Sequence, residues 1–203
     1  MTESAGSDVV DVVFALRGES IAPDHAFALR DAVLRVLTWM GELSDAGIHP
    51  IKGVTPSGER LVVSRRAQLM LRLPRARTEA ASALSGATLD LGGTIEVGAA
   101  TVRELAPYPA LYSHFADMRC DPEDEFVAEA ARLVAAAGIE GKLIVGKRHA
   151  ARSGAICVSG YSLMLHGLSA AHSLRLQELG LGANRMLGCG IFVPHKSIAA
   201  VGL

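Results

Sequence analysis

The chain has 203 residues, 50% apolar and 20% charged, which suits one large or two small folded domains and argues against disorder. No apolar run approaches the roughly 20 residues that cross a bilayer, and the start of the chain lacks the basic head and apolar core of a signal peptide. The 3 cysteines are widely spaced, which argues against a disulfide framework and a zinc site and favours a reducing, cytoplasmic location.

The net charge is only −1, yet the charges are unevenly distributed along the chain. Positions 1–47 hold 8 acidic and 3 basic residues. Positions 52–77 hold 7 basic residues and 1 acidic residue, and positions 141–203 hold the same numbers. Such a chain can present a positive face to nucleic acid, although ordinary solvated surfaces explain the distribution equally well.

In the first half, the predicted elements follow the order strand, helix, strand, strand, helix, strand. A β-branched run predicts the first strand, and apolar residues at helical spacing predict a helix opened by Pro23 and Asp24. Arg65 and Arg66 interrupt the third strand. The predicted ranges are 9–16, 23–40, 48–54, 61–73, 77–84 and 94–105.

The second half repeats this order. Acidic residues crowd the start of its first helix, and Ser169 caps its second helix, which Gly180 ends. The predicted ranges are 111–115, 122–137, 142–145, 156–165, 169–179 and 191–193. Two βαββαβ units predict an α+β fold of tandem ferredoxin-like (RRM-like) domains, 1–106 and 107–203, the second with a C-terminal glycine-rich loop.

The glycine-rich loop GLGANRMLGCG spans positions 180–190. It does not fit a dinucleotide-binding motif, because too few residues follow it, nor a nucleotide-hydrolase phosphate loop, because no Gly-Lys-Ser/Thr follows. Two interpretations stay open. The open backbone N–H groups and Arg185 could lie against a polyphosphate chain, or the glycines could form a helix C-cap and a tight turn.

Three segments carry a resemblance to a known family: LRLQELGLGANRMLGCGIFVP at 174–194, VVFALRGESIAPDH at 12–25 and GIHPIKG at 47–53. They resemble the CRISPR repeat-RNA endoribonucleases, within the repeat-associated mysterious protein superfamily, and are most similar to the Myxan-type subtype of type I systems. The resemblance covers nearly the whole chain. It implies tandem ferredoxin-like domains, binding of the repeat stem-loop in precursor RNA, and one cut at the 3′ base of that hairpin.

Cleavage of RNA without a metal or cofactor uses the 2′-hydroxyl as the nucleophile on the adjacent phosphate. The reaction needs a base, an acid for the leaving 5′-oxygen, and cations near the phosphorane. The products carry a 2′,3′-cyclic phosphate and a 5′-hydroxyl, and DNA should survive because it lacks the nucleophile. Histidine suits both proton transfers, since its pKa lies near the working pH.

The resemblance places the catalytic histidine at His49, with Lys52 three residues on as a nearby cation. His25, at the start of the first helix, is the candidate second proton carrier, because that helix has no tyrosine to serve instead. Alternatively, His49 packs beside Pro50 and His25 is an exposed residue behind a capping Asp24. No histidine pair has metal-ligand spacing, so no metal site is predicted.

RNA-binding residues are predicted in two segments. A basic hairpin tip suits the phosphates of an A-form stem, and the glycine-rich loop suits close approach to the RNA backbone. The residues are Lys147, Arg148, Arg152, Gly180, Gly182, Arg185, Gly188 and Gly190.

Two other functions stay open at this stage. The chain could be a non-cleaving RNA-binding subunit of a CRISPR effector complex, or a ferredoxin-like small-molecule enzyme or sensor. Beyond the repeat RNA, the expected partners are other subunits of a type I effector complex, and no membrane or DNA substrate is expected.

Overall fold

A computed structural model describes residues 7–56 and 58–195. Most of the segment on which the absence of a signal peptide was predicted lies outside these residues. The chain divides into two compact units. The first contains the described residues up to Leu105 together with Ala151–Cys157 and Arg185–Gly188, and the second contains the other described residues.

The elements of the first unit are β1 Val9–Arg17, β2 Ser20–Ile21, α1 Ala26–Val36, β3 Gly47–Ile48, β4 Leu61–Val62, β5 Gln68–Pro74, α2 Thr78–Ala81, β6 Thr88–Asp90 and β7 Thr94–Glu104. Five of the strands form an antiparallel sheet with the order β3-β5-β1-β7-β6. In it, β7, β1, β5 and β3 lie in the ferredoxin-like order 4-1-3-2. Strands β2 and β4 form a separate two-stranded sheet.

The core of this unit lies between α1 and one face of the sheet. Helix α1 buries Leu29, Ala32 and Val33 in this core, and their spacing places them on one side of the helix. Strand β1 contributes Val10, Val12 and Phe14, each fully buried. Since alternate strand residues point to opposite faces, Asp11 and Val13 lie on the other face of the sheet.

The second unit contains the strands β8 Ala110–Ala116, β9 Lys142–Ser153, β10 Ile156–His166 and β11 Val193–Pro194, except that the end of β9 from Ala151 and the start of β10 up to Cys157 belong to the first unit. These strands form an antiparallel sheet with the order β11-β8-β10-β9, again 4-1-3-2. The helices are α3 Glu123–Ala136 and α4 Ala170–Leu179, and Ser169 caps α4 by accepting a hydrogen bond from the backbone N–H of His172.

Several predicted boundaries need correction. The first helix ends at Val36, and a short 3-10 helix at Thr38–Glu42 takes its last predicted turn. The strand predicted at 61–73 is two strands in different sheets, because the backbone turns at Ser64, whose carbonyl accepts the N–H of Ala67.

The predicted basic hairpin tip is also corrected. Strand β9 continues to Ser153, so Lys147, Arg148 and Arg152 lie along a strand. The turn itself is at Gly154 and Ala155, where Gly154 has a φ of +57°. Within the described residues, none of the helices has the length and apolarity needed to cross a membrane.

Candidate functional site

A buried polar cluster lies in the first unit and contains His49. The ring Nε2–H donates to Oδ1 of Asp11 at 3.2 Å. Arg72 grips the same carboxylate with both ends of its guanidinium, Nε to Oδ1 at 2.9 Å and Nη2 to Oδ2 at 3.0 Å. Paired donors of this kind hold a carboxylate in one orientation. We call Asp11, His49 and Arg72 the acidic-anchor cluster.

Sheet register brings the acidic-anchor cluster together. Asp11 on β1 stands directly opposite Arg72 on β5. On the other side of β5, Gly47 of β3 also stands opposite Arg72, and the backbone N–H of His49 donates to the carbonyl of Met70 at 2.9 Å. Because residues two apart on a strand share a face, His49 and Arg72 point to the same face as Asp11.

Burial and pairing set the charges of the cluster. Burial raises the pKa of Asp11, but hydrogen bonds from His49 and Arg72 outweigh it and hold that pKa well below its usual value. For His49, burial dominates and lowers the pKa; Asp11 opposes this shift, while Arg72 and Lys52 add to it. At neutral pH the cluster therefore holds an ionised Asp11 and a neutral His49.

Lys52 and His25 occupy different surroundings. Lys52 is exposed, and its charge adds to the lowering of the pKa of His49. His25 is buried at the start of α1, where its Nδ1–H donates to the carbonyls of Ala22 and Pro23 at 3.1 and 3.2 Å. Burial lowers the pKa of His25, and the two carbonyls partly offset that effect.

Asp24 does not cap the first helix. Its carboxylate accepts the backbone N–H of Arg152 at 2.7 Å, and no side chain caps α1, whose N-cap is His25. The Arg152 side chain is exposed. The alternative reading of an exposed His25 behind a capping Asp24 is therefore wrong on both residues.

The 3-10 turn Arg185–Leu187 from the glycine-rich loop packs against β3, next to the segment that carries His49. Arg185 is only 8% exposed. Burial and the charge of Arg72 lower its pKa to about 10, while Asp45 and Asp11 act in the opposite direction. Arg185 therefore lies near the acidic-anchor cluster in the same unit, close enough for the charges of Arg72 and Asp11 to act on it.

The four glycines of the loop all have positive φ, between 63° and 84°. Gly180 ends α4, and a Cβ on Gly182 or Gly190 would overlap a backbone carbonyl oxygen, that of Asp117 or of Leu181. A Cβ on Gly188 would lie 3.0 Å from Cδ of Pro50. The helix C-cap and tight turn of the alternative interpretation are therefore present, and contact of these glycines with RNA stays a prediction.

The predicted RNA-binding residues of β9 are exposed, and one of them already forms an ion pair. Arg148 forms an ion pair with Asp121, whose carboxylate also accepts the hydroxyl of Ser159 at 3.0 Å. His149 follows Arg148 on β9, and the centroid of its ring lies 4.2 Å from the centroid of the His114 ring. Burial, followed by the charges of His114 and Lys147, lowers the pKa of His149.

Sequence reasoning missed Asp11 and did not predict its pairing with Arg72. A signal was present: Asp11 interrupts the apolar run VVDVVFAL. A carboxylate in a strand that is buried on both faces must be paired, so a buried cation on a neighbouring strand could have been expected. No group of three or more His, Cys, Asp or Glu side chains with the placement of a metal site occurs among residues 7–56 and 58–195.

Comparison with known proteins indicates the same family as the sequence motifs. The profile of the family described as Cas6 CRISPR matches residues 10–197. The chain is 37% identical over 194 residues to the CRISPR-associated endonuclease Cas6 of Myxococcus xanthus (strain DK1622), covering 95% of this chain and 84% of that protein.

Solved structures share the fold at low sequence identity. A structure described as a RAMP protein binding different RNA substrates superposes with a TM-score of 0.65 at 13% identity, covering 90% of this chain and 98% of the other. A CRISPR-associated Cas6 protein gives 0.63 at 12% identity, covering 93% and 100%. The predicted tandem ferredoxin-like fold is confirmed by this likeness and by the strand orders of both sheets.

Proposed function

This chain belongs to the Cas6 family, and on that premise we propose that it is an endoribonuclease of CRISPR RNA processing, which binds the repeat hairpin and cuts once at its 3′ base. The observation that carries the proposal is the environment of His49. The ring is neutral, Asp11 holds it at Nε2, and the charge of Lys52 acts on it. These are the properties of a general base beside a cation.

The chemistry needs no metal ion in this proposal. His49 removes the proton of the 2′-hydroxyl, and the oxygen attacks the adjacent phosphate. Lys52 stabilises the charge that develops on the phosphorane. The bond to the 5′-oxygen then breaks, which leaves a 2′,3′-cyclic phosphate and a 5′-hydroxyl.

His25 is the proposed acid for the leaving 5′-oxygen. Because its Nδ1–H donates to backbone carbonyls, Nε2 is the nitrogen that exchanges a proton with the substrate. Burial lowers the pKa of His25 and weakens it as an acid. A bound RNA phosphate beside the ring would raise that pKa again, since a negative charge favours the protonated ring.

RNA binding is assigned to exposed cations rather than to stacked aromatic side chains, since only 4% of the residues are aromatic. Lys147, Arg148 and Arg152 are exposed along β9, so their charges can reach phosphates. Arg185 is buried near the acidic-anchor cluster, and its charge is proposed to act on the bound phosphate from there.

One observation favours a second function, that of a non-cleaving RNA-binding subunit of an effector complex. His49 is only 3% exposed, and a histidine so deeply packed against Asp11 could serve the fold alone. In that case the protein would bind repeat RNA tightly and leave it intact.

A cleavage assay in EDTA separates these two functions. The purified protein is incubated, in excess, with its repeat RNA, and the product ends are identified. We expect cleavage that survives the chelator and a cyclic phosphate end. RNA with a 2′-deoxy nucleotide upstream of the cut should stay intact. Tight binding of intact, unmodified RNA would establish the second function instead.

A His49→Ala variant assigns the base. The single-turnover rate should fall by about 100-fold or more while the Kd for RNA changes little, because the ring acts in proton transfer. His166→Ala is the matched control, since His166 lies at the end of β10 and has no proposed role. An unchanged rate for His49→Ala would remove His49 from the reaction.

A further inference from the structure

We propose that Asp11 is a positioning residue for His49, and that Arg72 locks Asp11 in place so that the ring presents Nδ1, as a proton acceptor, to the RNA. This inference deepens the proposed function and rests on it. It concerns a residue that neither the family motifs nor the spacing of candidate histidines indicated.

The geometry assigns the nitrogens. His49 donates from Nε2 to Asp11 at 3.2 Å, and the proton on a neutral imidazole can occupy only one nitrogen. Donation at Nε2 therefore leaves the lone pair at Nδ1. A carboxylate that holds one nitrogen of a histidine in this way fixes both the tautomer and the orientation of the ring.

Arg72 makes the carboxylate a fixed acceptor. Its Nε and Nη2 take one oxygen each, and the side chain is 1% exposed, so the pair has little room to rotate. Asp11 keeps its negative charge as a result. His49 is therefore oriented by an acceptor anchored on the adjacent strands β1 and β5.

Asp11 is not needed to hold the backbone of His49 in place. The backbone of His49 is already anchored, since its N–H donates to the Met70 carbonyl at 2.9 Å. The strand pairing would hold the chain in register without Asp11. Asp11 therefore adds a fixed orientation of the His49 ring. Burial of a carboxylate costs free energy, which indicates that the orientation of the ring matters.

The test combines cleavage with the tautomer of His49. In wild-type protein, nitrogen-15 NMR of the histidine rings should show His49 as the Nε2–H form at neutral pH. Asp11→Asn should reduce the single-turnover rate by at least about 10-fold, change the shape of its pH profile and alter the tautomer signal, because a misplaced base costs rate steeply. The Kd for RNA should change by less than about 3-fold, since Asp11 is buried and is not a proposed RNA contact.

Glu104→Gln provides the matched control. Glu104 is another carboxylate gripped by both ends of an arginine, with Arg75 Nη1 and Nη2 at 2.8 and 2.6 Å, but it holds no histidine. The same acid-to-amide change there should leave cleavage and the His49 signal unchanged.

Each outcome decides a separate point. A wild-type His49 in the Nδ1–H form, or an Asp11→Asn variant that cleaves at the wild-type rate, overturns the positioning role. If Asp11→Asn does not fold, the wild-type tautomer and the pH profile of an Asp11→Glu variant decide it. If wild-type protein leaves RNA intact, the proposed function fails, and the tautomer measurement alone then shows whether Asp11 orients the ring.

Discussion

At the scale of single residues, burial of the acidic-anchor cluster couples folding to pH. The pKa of His49 in the folded protein is below its ordinary value of 6.5, so as pH falls the unfolded chain takes up the proton first. The free energy of unfolding should therefore be largest above pH 6.5 and should decrease below it. Asp11 adds a second decrease below its ordinary value of 3.8, since its folded pKa is also lowered.

Urea unfolding across pH 4 to 8 measures this effect. His49→Gln cannot be protonated, so the variant should lose part of the decrease below about pH 6.5. His25 and His149 also have lowered pKa values, so some slope should persist. Equal slopes for the variant and the wild-type protein would show that His49 is not buried as a neutral ring.

Single residues differ in how far the sequence could predict their place in the site. His49 could be named because its position matched a family motif. The partner of Asp11 could not be named, since Arg72 is 61 positions away and reaches Asp11 only through the pairing of β1 and β5. The burial of Arg185 was equally hidden, because glycine spacing predicts a flexible loop and says nothing of what packs against it.

At the scale of elements, the order of strands and helices followed from hydrophobic periodicity, and the family resemblance is confirmed. Boundaries were less predictable. Strand β9 continues through positions 147–152 because pairing with β10 supplies its backbone hydrogen bonds. The exposed charged residues of this stretch break the alternation of apolar residues that would reveal a strand in the sequence. The edge strand β6 was missed because its 3 residues are too few to show an alternating pattern.

The glycine-rich loop permits a prediction at this scale. Gly190→Ala should lower the free energy of unfolding by about 2 kcal/mol or more, because a left-handed φ strains a side-chain-bearing residue and the new Cβ overlaps the carbonyl oxygen of Leu181. Gly138→Ala is the matched control. Gly138 has the same φ of +64° but open space around it, so only the strain of about 1 kcal/mol applies.

Urea denaturation of both variants measures the difference. A similar loss for the two would mean that the Leu181 contact is absent and that the loop backbone relaxes. Should Gly190→Ala instead keep its stability and lose RNA affinity, the glycine would serve the ligand rather than the turn.

At the scale of the whole molecule, a chain with a net charge of −1 must bind a polyanion through local rather than overall charge. The exposed bases of β9 are the proposed contacts. Arg148 is already paired with Asp121, so RNA must compete with that carboxylate for it, whereas no ion pair of Lys147 or Arg152 occurs among the described residues.

The dependence of RNA affinity on salt tests this arrangement. Each phosphate contact contributes roughly 0.7 to 0.9 to the slope of log K against log salt concentration, so replacing Lys147, Arg148 and Arg152 with alanine should reduce the slope by about 2 to 3. Arg132→Ala is the control, because Arg132 is exposed on α3 and paired with Glu129 on the same helix. A slope unchanged in the triple variant would mean that these charges only solvate the strand, and that the phosphates are held elsewhere.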